Sequence, residues 1–257
     1  MRCKVLENIL QNALGEAKQV WVIGDVHGCA IELENLLTKL DLKSGDHALL
    51  VGDLIDRGPD SARVVDLVRS SDNLHTIKGN HEQMMISGFV EKFGRGGPSM
   101  ETMLWLSNGG LDTIKSFDRM YDDGNSRLEE TSTWFRSLPS QVILDGFRIV
   151  HAGFTPDVSM REQTDDSMLW IRNIFFDHPK PLDEQRQIIF GHTPTQYIEV
   201  AGRLIGIEGR PTLSPVLLGD GRPSWIGIDT GVCGDQTPTL TAYNLATHEF
   251  RGVTADV

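Results

Sequence analysis

Cysteine is scarce, with three residues in a chain of 257. Cys3, Cys29 and Cys233 are odd in number and widely spaced, and no C-x-x-C pair occurs, so a disulfide framework and a thiolate zinc ribbon are both excluded. A thiol-based phosphatase would need an Arg six positions after its nucleophile, where Ile9, Asn35 and Thr239 stand instead. Long apolar runs are missing too. None approaches the roughly 20 residues that span a bilayer, and no basic segment leads into an apolar one over residues 1–13. A cytoplasmic protein is expected. Positive charge is in deficit, 24 Lys and Arg against 36 Asp and Glu for a net -12, which argues against nucleic-acid or membrane partners held by broad electrostatics. Any anionic ligand must be attracted locally.

What is present reads as an ordinary folded chain, 39% hydrophobic and 23% charged, of a length that suits one domain over residues 1–257. The first half has a β-α-β rhythm. Val20 to Ile23, Ala48 to Val51 and Leu74 to Ile77 are strand-like, and Leu33, Leu36, Leu37 and Leu40, then Val64, Val65, Leu67 and Val68, recur at helical spacing. Residues 82–138 are expected to be mostly helical, with the Met and Trp positions of 84–106 facing the core and a loop at residues 94–98. Beyond Pro139, strands are expected at 141–144, 147–150, 187–190, 197–200, 225–228 and 239–245, with Asp145-Gly146 as a hairpin turn. Residues 202–223, rich in Gly and Pro, read as an exposed insertion.

Five strand-like runs deliver polar groups immediately as they end: Gly24-Asp25-Val26-His27-Gly28, Gly52-Asp53-Leu54-Ile55-Asp56-Arg57-Gly58, Gly79-Asn80-His81-Glu82, Val150-His151-Ala152-Gly153 and Gly191-His192-Thr193. Strand exits converge at one edge of an α/β sheet, where glycine lets the backbone turn and approach a ligand. Asp25, His27, Asp53, Asn80, His151 and His192 together offer three imidazoles, two carboxylates and an amide oxygen. That set suits Mn²⁺, Fe or Zn²⁺ better than Ca²⁺ or a structural zinc, and six donors exceed one mononuclear site. Shared by Asp53, two ions roughly 3.5–4 Å apart would use all of them.

In this order the five blocks resemble the signature of the phosphoprotein phosphatase family within the calcineurin-like metallophosphoesterases. Gly79-Asn80-His81-Glu82-Gln83-Met84-Met85 and Trp105-Leu106-Ser107-Asn108-Gly109-Gly110 are similar to its bacterial and lambda-phage-type branch of serine/threonine protein phosphatases. The resemblance implies two packed β-sheets flanked by helices, an αββα arrangement of the α/β class. It implies two divalent metals, Mn²⁺ first among them, one held by Asp25, His27 and Asp53 and the other by Asp53, Asn80, His151 and His192. His81 matches the family's general acid, with Asp56 as its partner; Arg57, Arg172 and Asn80 would bind the substrate phosphate. A hydroxide between the metals would then attack phosphorus in line, with phosphorylated protein or peptide as substrate and small phosphate esters alongside.

Two rivals follow from the same fold. A symmetrical dinucleoside-tetraphosphate hydrolase generally carries Ala in place of the second-block Asp and Asp after Asn-His, whereas Asp56 and Glu82 stand here. A non-catalytic scaffold would have lost metal residues that are all present. Taken singly, an Asp beside Gly caps a turn and a lone His is hydrogen-bonded, but five ordered blocks exceed that reading. His47, His75, His178 and His248 are expected to be locally satisfied, Cys29 to be a buried inert thiol, Asp229 to be structural and Asp165-Asp166 to be a solvated loop.

Overall fold

The computed structural model describes residues 2–91, 98–234 and 237–255. In chain order the elements are α1 (Lys4–Gly15), β1 (Val20–Ile23), α2 (Ala30–Leu40), β2 (His47–Leu50), α3 (Ser61–Ser70), β3 (Leu74–Thr76), α4 (Asn80–Glu91), α5 (Met100–Trp105), α6 (Leu111–Met120) and α7 (Gly124–Ser137). There follow β4 (Gln141–Ile143), β5 (Phe147–Val150), α8 (Asp165–Trp170), α9 (Asn173–Phe176), β6 (Gln187–Phe190), β7 (Glu199–Val200), β8 (Arg203–Leu204), β9 (Thr212–Leu213), β10 (Trp225–Gly227), β11 (Thr239–Asn244) and β12 (Phe250–Thr254).

Two mixed five-stranded sheets result, in the orders β12-β11-β1-β2-β3 and β4-β5-β6-β10-β9. Within the first, β1, β2 and β3 are parallel; within the second, β5, β6 and β10 are parallel. Strands alternate side chains between faces, and here both faces are buried. Val20, Val22, Leu49 and Val51 meet Val142, Ile149, Ile189 and Ile226 between the sheets. On the outer face of the first sheet, Trp21, Ile23, Ala48 and Leu50 pack under α2, α3, α4, α6 and α7. Phe190 and Trp225 pack against Phe175 and Phe176 of α9 on the outer face of the second. Helices therefore flank the paired sheets on both sides, as the resemblance implies.

Several details differ from expectation. Met84, Met85, Phe89 and Trp105 are buried, but Met100, Met103 and Leu104 are exposed, because the short α5 turns only Thr102 and Trp105 inward. Asp165 and Asp166 form the first turn of α8, capped by the Thr164 side chain, where carboxylates favour the positive end of the helix dipole. Residues 195–197 make a single 3₁₀ turn ahead of the two-residue β7, shortening the strand expected at 197–200. Segment 202–223 contributes β9, whose Thr212 is buried against β10. Of the loop expected at 94–98, residues 94–97 lie outside the described residues. The amphipathic α1 and the terminal β12 were not anticipated at all.

Candidate active site

The C-terminal ends of β1, β2 and β3 and of β5, β6 and β10 open on one edge of the paired sheets, and five of them lead into the polar blocks. The sixth, β10, delivers Asp229. Their turns are tight enough that His27, Asp53, Asp56, Arg57 and His192 adopt left-handed φ values of 46°, 51°, 72°, 69° and 63°. Such strain persists where surrounding bonds over-determine it and is concentrated at functional sites. Gly191 shows why a block starts with glycine: a Cβ there would collide with Asp25 Oδ1. Both Asp25 oxygens accept from the His192 amide, at 3.0 and 3.1 Å, and so join the exits of β1 and β6 across the two sheets.

Acceptor atoms then converge on Asp53. His151 donates Nδ1–H to the Val51 carbonyl (2.8 Å), which leaves the Nε2 lone pair of the neutral ring facing Asn80 Oδ1 at 2.8 Å and Asp53 Oδ1 at 3.4 Å. His192 Nδ1 lies 2.9 Å from the same Asn80 oxygen. His27 donates Nδ1–H to the Ile55 carbonyl (3.0 Å), and its Nε2 sits 3.6 Å from Asp53 Oδ2. Burial, the largest influence, holds all three of these imidazoles below the ordinary histidine range, which favours the neutral ring with one lone pair each; that of His27 meets an Arg57 N–H at 2.8 Å. The donor atoms of Asp53, His151 and His192 lie within 4.8 Å of one another, as do those of His27, Asp53 and His81. Asp25 adds a further buried carboxylate, raised well above its ordinary range by burial and by the neighbouring charges of Asp229 and Asp53. Lone pairs and carboxylates gathered this closely repel one another, and divalent cations are partners that would relieve this. The donor set fits metals gathered around Asp53, although His81 rather than Asp25 completes the triad with His27 and Asp53.

His81 and Asp56 form a separate, fully buried pair, with Nδ1 2.8 Å from Asp56 Oδ2. Burial pulls the His81 imidazole down, but the Asp53 and Asp56 carboxylates outweigh it and leave it raised. Asp56 is held in turn: Thr113 Oγ donates to its Oδ1 at 2.6 Å, and the Trp105 indole N–H reaches both oxygens at 3.1 and 3.2 Å. Gly109, at a φ of 108° between α5 and α6, lets the backbone approach Arg57, whose amide nitrogen a side chain there would strike. The 105–110 motif, read in sequence as a branch likeness and a core tryptophan, thus clamps the Asp56–Arg57 turn.

Glu82 is a hub the sequence reading left without a role. Its carboxylate accepts from the amides of Asp53 (2.8 Å), Leu54 (2.8 Å) and Gly79 (2.7 Å), pinning the second and third blocks together. Burial, then the Asp53 charge, pushes it up to about 7. Asp229, read as structural, is buried beside Asp25, and burial pushes it up to about 6.

Arg57 extends one guanidinium nitrogen to His27 Nε2 (2.8 Å) and another to His81 Nε2 (3.0 Å). Arg172, at the start of α9, bonds the His192 carbonyl and Thr193 Oγ at 3.2 and 2.9 Å. Both guanidinium groups border the cluster of carboxylates from opposite sheets. A cleft of about 450 Å³ opens over it, lined by His27, Arg57, Gln196, Glu208, Asp229 and Cys233 among others. The remaining histidines sit elsewhere: His75 bonds His47 (3.1 Å), His178 the Lys180 carbonyl (2.8 Å) and His248 the Tyr243 hydroxyl (2.7 Å). Among the described residues, no helix is long and apolar enough to cross a membrane.

Comparison with known proteins agrees with this geometry. The family model for calcineurin-like phosphoesterases matches residues 18–220. Serine/threonine-protein phosphatase 1 of Salmonella typhimurium strain LT2 is 30% identical over 184 residues, covering 69% of this chain and 79% of that protein. A symmetrical bis(5'-nucleosyl)-tetraphosphatase of Pectobacterium carotovorum is also 30% identical, over 141 residues that cover 53% of this chain but 43% of that enzyme. A solved structure provisionally assigned as a diadenosine tetraphosphatase superposes with a TM-score of 0.61 at 21% identity, covering 93% of this chain and 94% of the other. The chain is therefore a metallophosphoesterase-type hydrolase, a member of the phosphoprotein phosphatase family within the calcineurin-like phosphoesterases.

Proposed function

We propose that this hydrolase acts on phosphate monoesters and that its substrates are phosphorylated serine and threonine side chains of proteins or peptides, with small phosphate esters also accepted. The observation that carries the reading is the buried His81–Asp56 pair with its Trp105 and Thr113 supports. An alkyl phosphate expels an alkoxide, a strong base that needs a proton as it leaves; a dinucleoside tetraphosphate expels a nucleotide phosphate that is stable as an anion. A built general acid is of most use to the first reaction.

Asp25, His27 and Asp53 would hold one metal, and Asp53, Asn80, His151 and His192 the other. Such a pair supplies activated water and neutralises phosphoryl oxygens. The chain's own residues do the rest. Arg57 and Arg172 offer planar forks of donors to the phosphoryl oxygens and stabilise their charge as the transferring group flattens. Asn80, through its amide, helps orient the phosphate. His81, held by Asp56 with Nε2 turned toward the site, delivers the proton to the leaving oxygen. The mix of three imidazoles with buried carboxylates favours Mn²⁺, Fe or Zn²⁺ as the resident ions, with Mn²⁺ the first to test.

The test measures phosphate release from a phosphoserine peptide and from diadenosine tetraphosphate by metal-stripped protein with Mn²⁺ restored, alongside His81→Asn. Peptide turnover that requires Mn²⁺ and falls by ~10²–10⁴ in the variant is expected. Preferential cleavage of the dinucleotide would overturn the monoesterase assignment.

A further inference from the structure

The sulfurs of Cys29 and Cys233 lie 3.0 Å apart, although 204 residues separate them in sequence. They come from different parts of the site. Cys29 is buried at the start of α2, directly after the His27-Gly28 turn; Cys233 is exposed on the loop following β10 and lines the cleft beside His27 and Asp229. Both thiols also point at one acceptor, the His27 carbonyl, at 3.6 and 3.5 Å. A disulfide bond is about 2.05 Å long, so closing this pair asks for about 1 Å of movement shared between two loops. Cys3, the third cysteine, is half-buried on the face between α1 and the strands, away from the cleft.

We propose that Cys29 and Cys233 form a reversible disulfide under oxidant, and that it lowers turnover by tying the cleft loop to the turn that carries His27. Hydrogen peroxide oxidises the accessible Cys233 thiol to a sulfenic acid and is reduced to one water. The Cys29 sulfur then attacks the Cys233 sulfur, and the hydroxyl leaves with the Cys29 proton as a second water. Two thiols thus lose two electrons and two hydrogens, and one peroxide becomes two waters. A dithiol reverses the step by exchange. Bond formation removes both S–H donors from the carbonyl of His27, whose backbone is already left-handed, and so loads the turn that sets the ring 3.6 Å from Asp53. Because both partners are preplaced, the second step needs little movement of either loop.

The experiment treats the metal-stripped full chain with hydrogen peroxide, blocks remaining thiols with N-ethylmaleimide, and reads intact mass and a non-reducing peptide map. The expected result is a loss of two hydrogens, a Cys29–Cys233 crosslinked peptide, one alkylated thiol at Cys3, and reversal by dithiothreitol. Cys233→Ser, an exposed and conservative change, should abolish the crosslink, as should Cys29→Ser. After Mn²⁺ is restored, phosphate release by the oxidised wild type should be several-fold slower and recover with dithiothreitol, while Cys233→Ser should be equally active before and after peroxide. Oxidation of Cys233 to sulfinic acid without a crosslink, or a crosslink through Cys3, would overturn the proposal; a complete crosslink with unchanged turnover would overturn its regulatory half. That half rests on the hydrolase reading, but the mass readout does not, so a failed substrate assignment would be recognised separately by absent turnover in the reduced protein.

Discussion

Replacing Asp56 with Asn removes one charge from a buried pair while preserving most of its contacts. Asn Oδ1 can still accept from Thr113 and Trp105, which now bond Asp56 Oδ1 at 2.6 and 3.1 Å. The position of Oδ2, 2.8 Å from His81 Nδ1, would hold an amide N–H instead of a carboxylate. A hydrogen bond to a charged group contributes about 1.5–3 kcal/mol, all of it here favouring protonated His81 over neutral. At about 1.36 kcal/mol per tenfold change, proton delivery should weaken roughly 10- to 150-fold. The assay compares kcat on a phosphoserine peptide with kcat on p-nitrophenyl phosphate, whose phenolate leaves with little need of a proton. The peptide reaction should fall by that factor and the aryl reaction should change little. In the His81→Asn background the same substitution should add almost nothing, since the two residues act as a unit. Equal losses on both substrates, with folding intact by circular dichroism, would refute the assignment of Asp56 and His81 to leaving-group protonation.

Two further outcomes test other parts of the molecule. Because acceptors converge around Asp53, Mn²⁺ at a hundredfold excess over its Kd should stabilise metal-stripped protein by about 2.7 kcal/mol, read as a Tm increase of roughly 5–10 °C. Asp53→Asn should lose most of that increase, and a flat response to Mn²⁺, Fe²⁺ and Zn²⁺ alike would contradict the metal assignment. Glu7 anchors α1, pairing with Arg2 (2.7 Å) and Lys4 (3.0 Å) and accepting from the Ile143 amide of β4 (3.1 Å). Burial works against its charge, yet these partners outweigh it and hold its carboxyl below the ordinary 4.5. A depressed carboxyl stabilises the fold above its unfolded value and loses that contribution as pH falls through the folded one. Glu7→Gln should therefore cost about 1 kcal/mol at pH 7, a modest figure because Arg2 and Lys4 are partly exposed. Thermal unfolding should show the gap closing as the pH drops below 4.5; a gap that persists there would contradict the electrostatic origin.

The chemistry of the site was legible in one dimension because it is written at strand exits. A strand that must end and present a ligand needs a glycine and then a polar side chain, and this local requirement recurs in five blocks whatever their separation. The β-α-β core was legible for a related reason: strands buried on both faces read as continuous apolar runs, and α2 and α3 carry helical periodicity. Elements that lie at a margin were not. β9 and β12 are edge strands with mixed sequences, and α1 finds its place through packing between sheet residues rather than through a marked start or stop signal. Met100 and Met103 were misread because periodicity reports an apolar face and not whether a six-residue helix has anything to bury it against.

The sequence by itself determined which donors are available, in what order, and that they suit a pair of divalent metals handling phosphate. Tertiary structure alone decided who holds whom. Trp105 and Thr113 reach Asp56 across 49 and 57 residues, Glu82 binds together three amides of two blocks, and Cys29 meets Cys233 from the far end of the chain. These contacts obey no spacing rule, because they follow from how two sheets and their flanking helices stack, and that arrangement is set by burial of the whole apolar core rather than by any local run of residues.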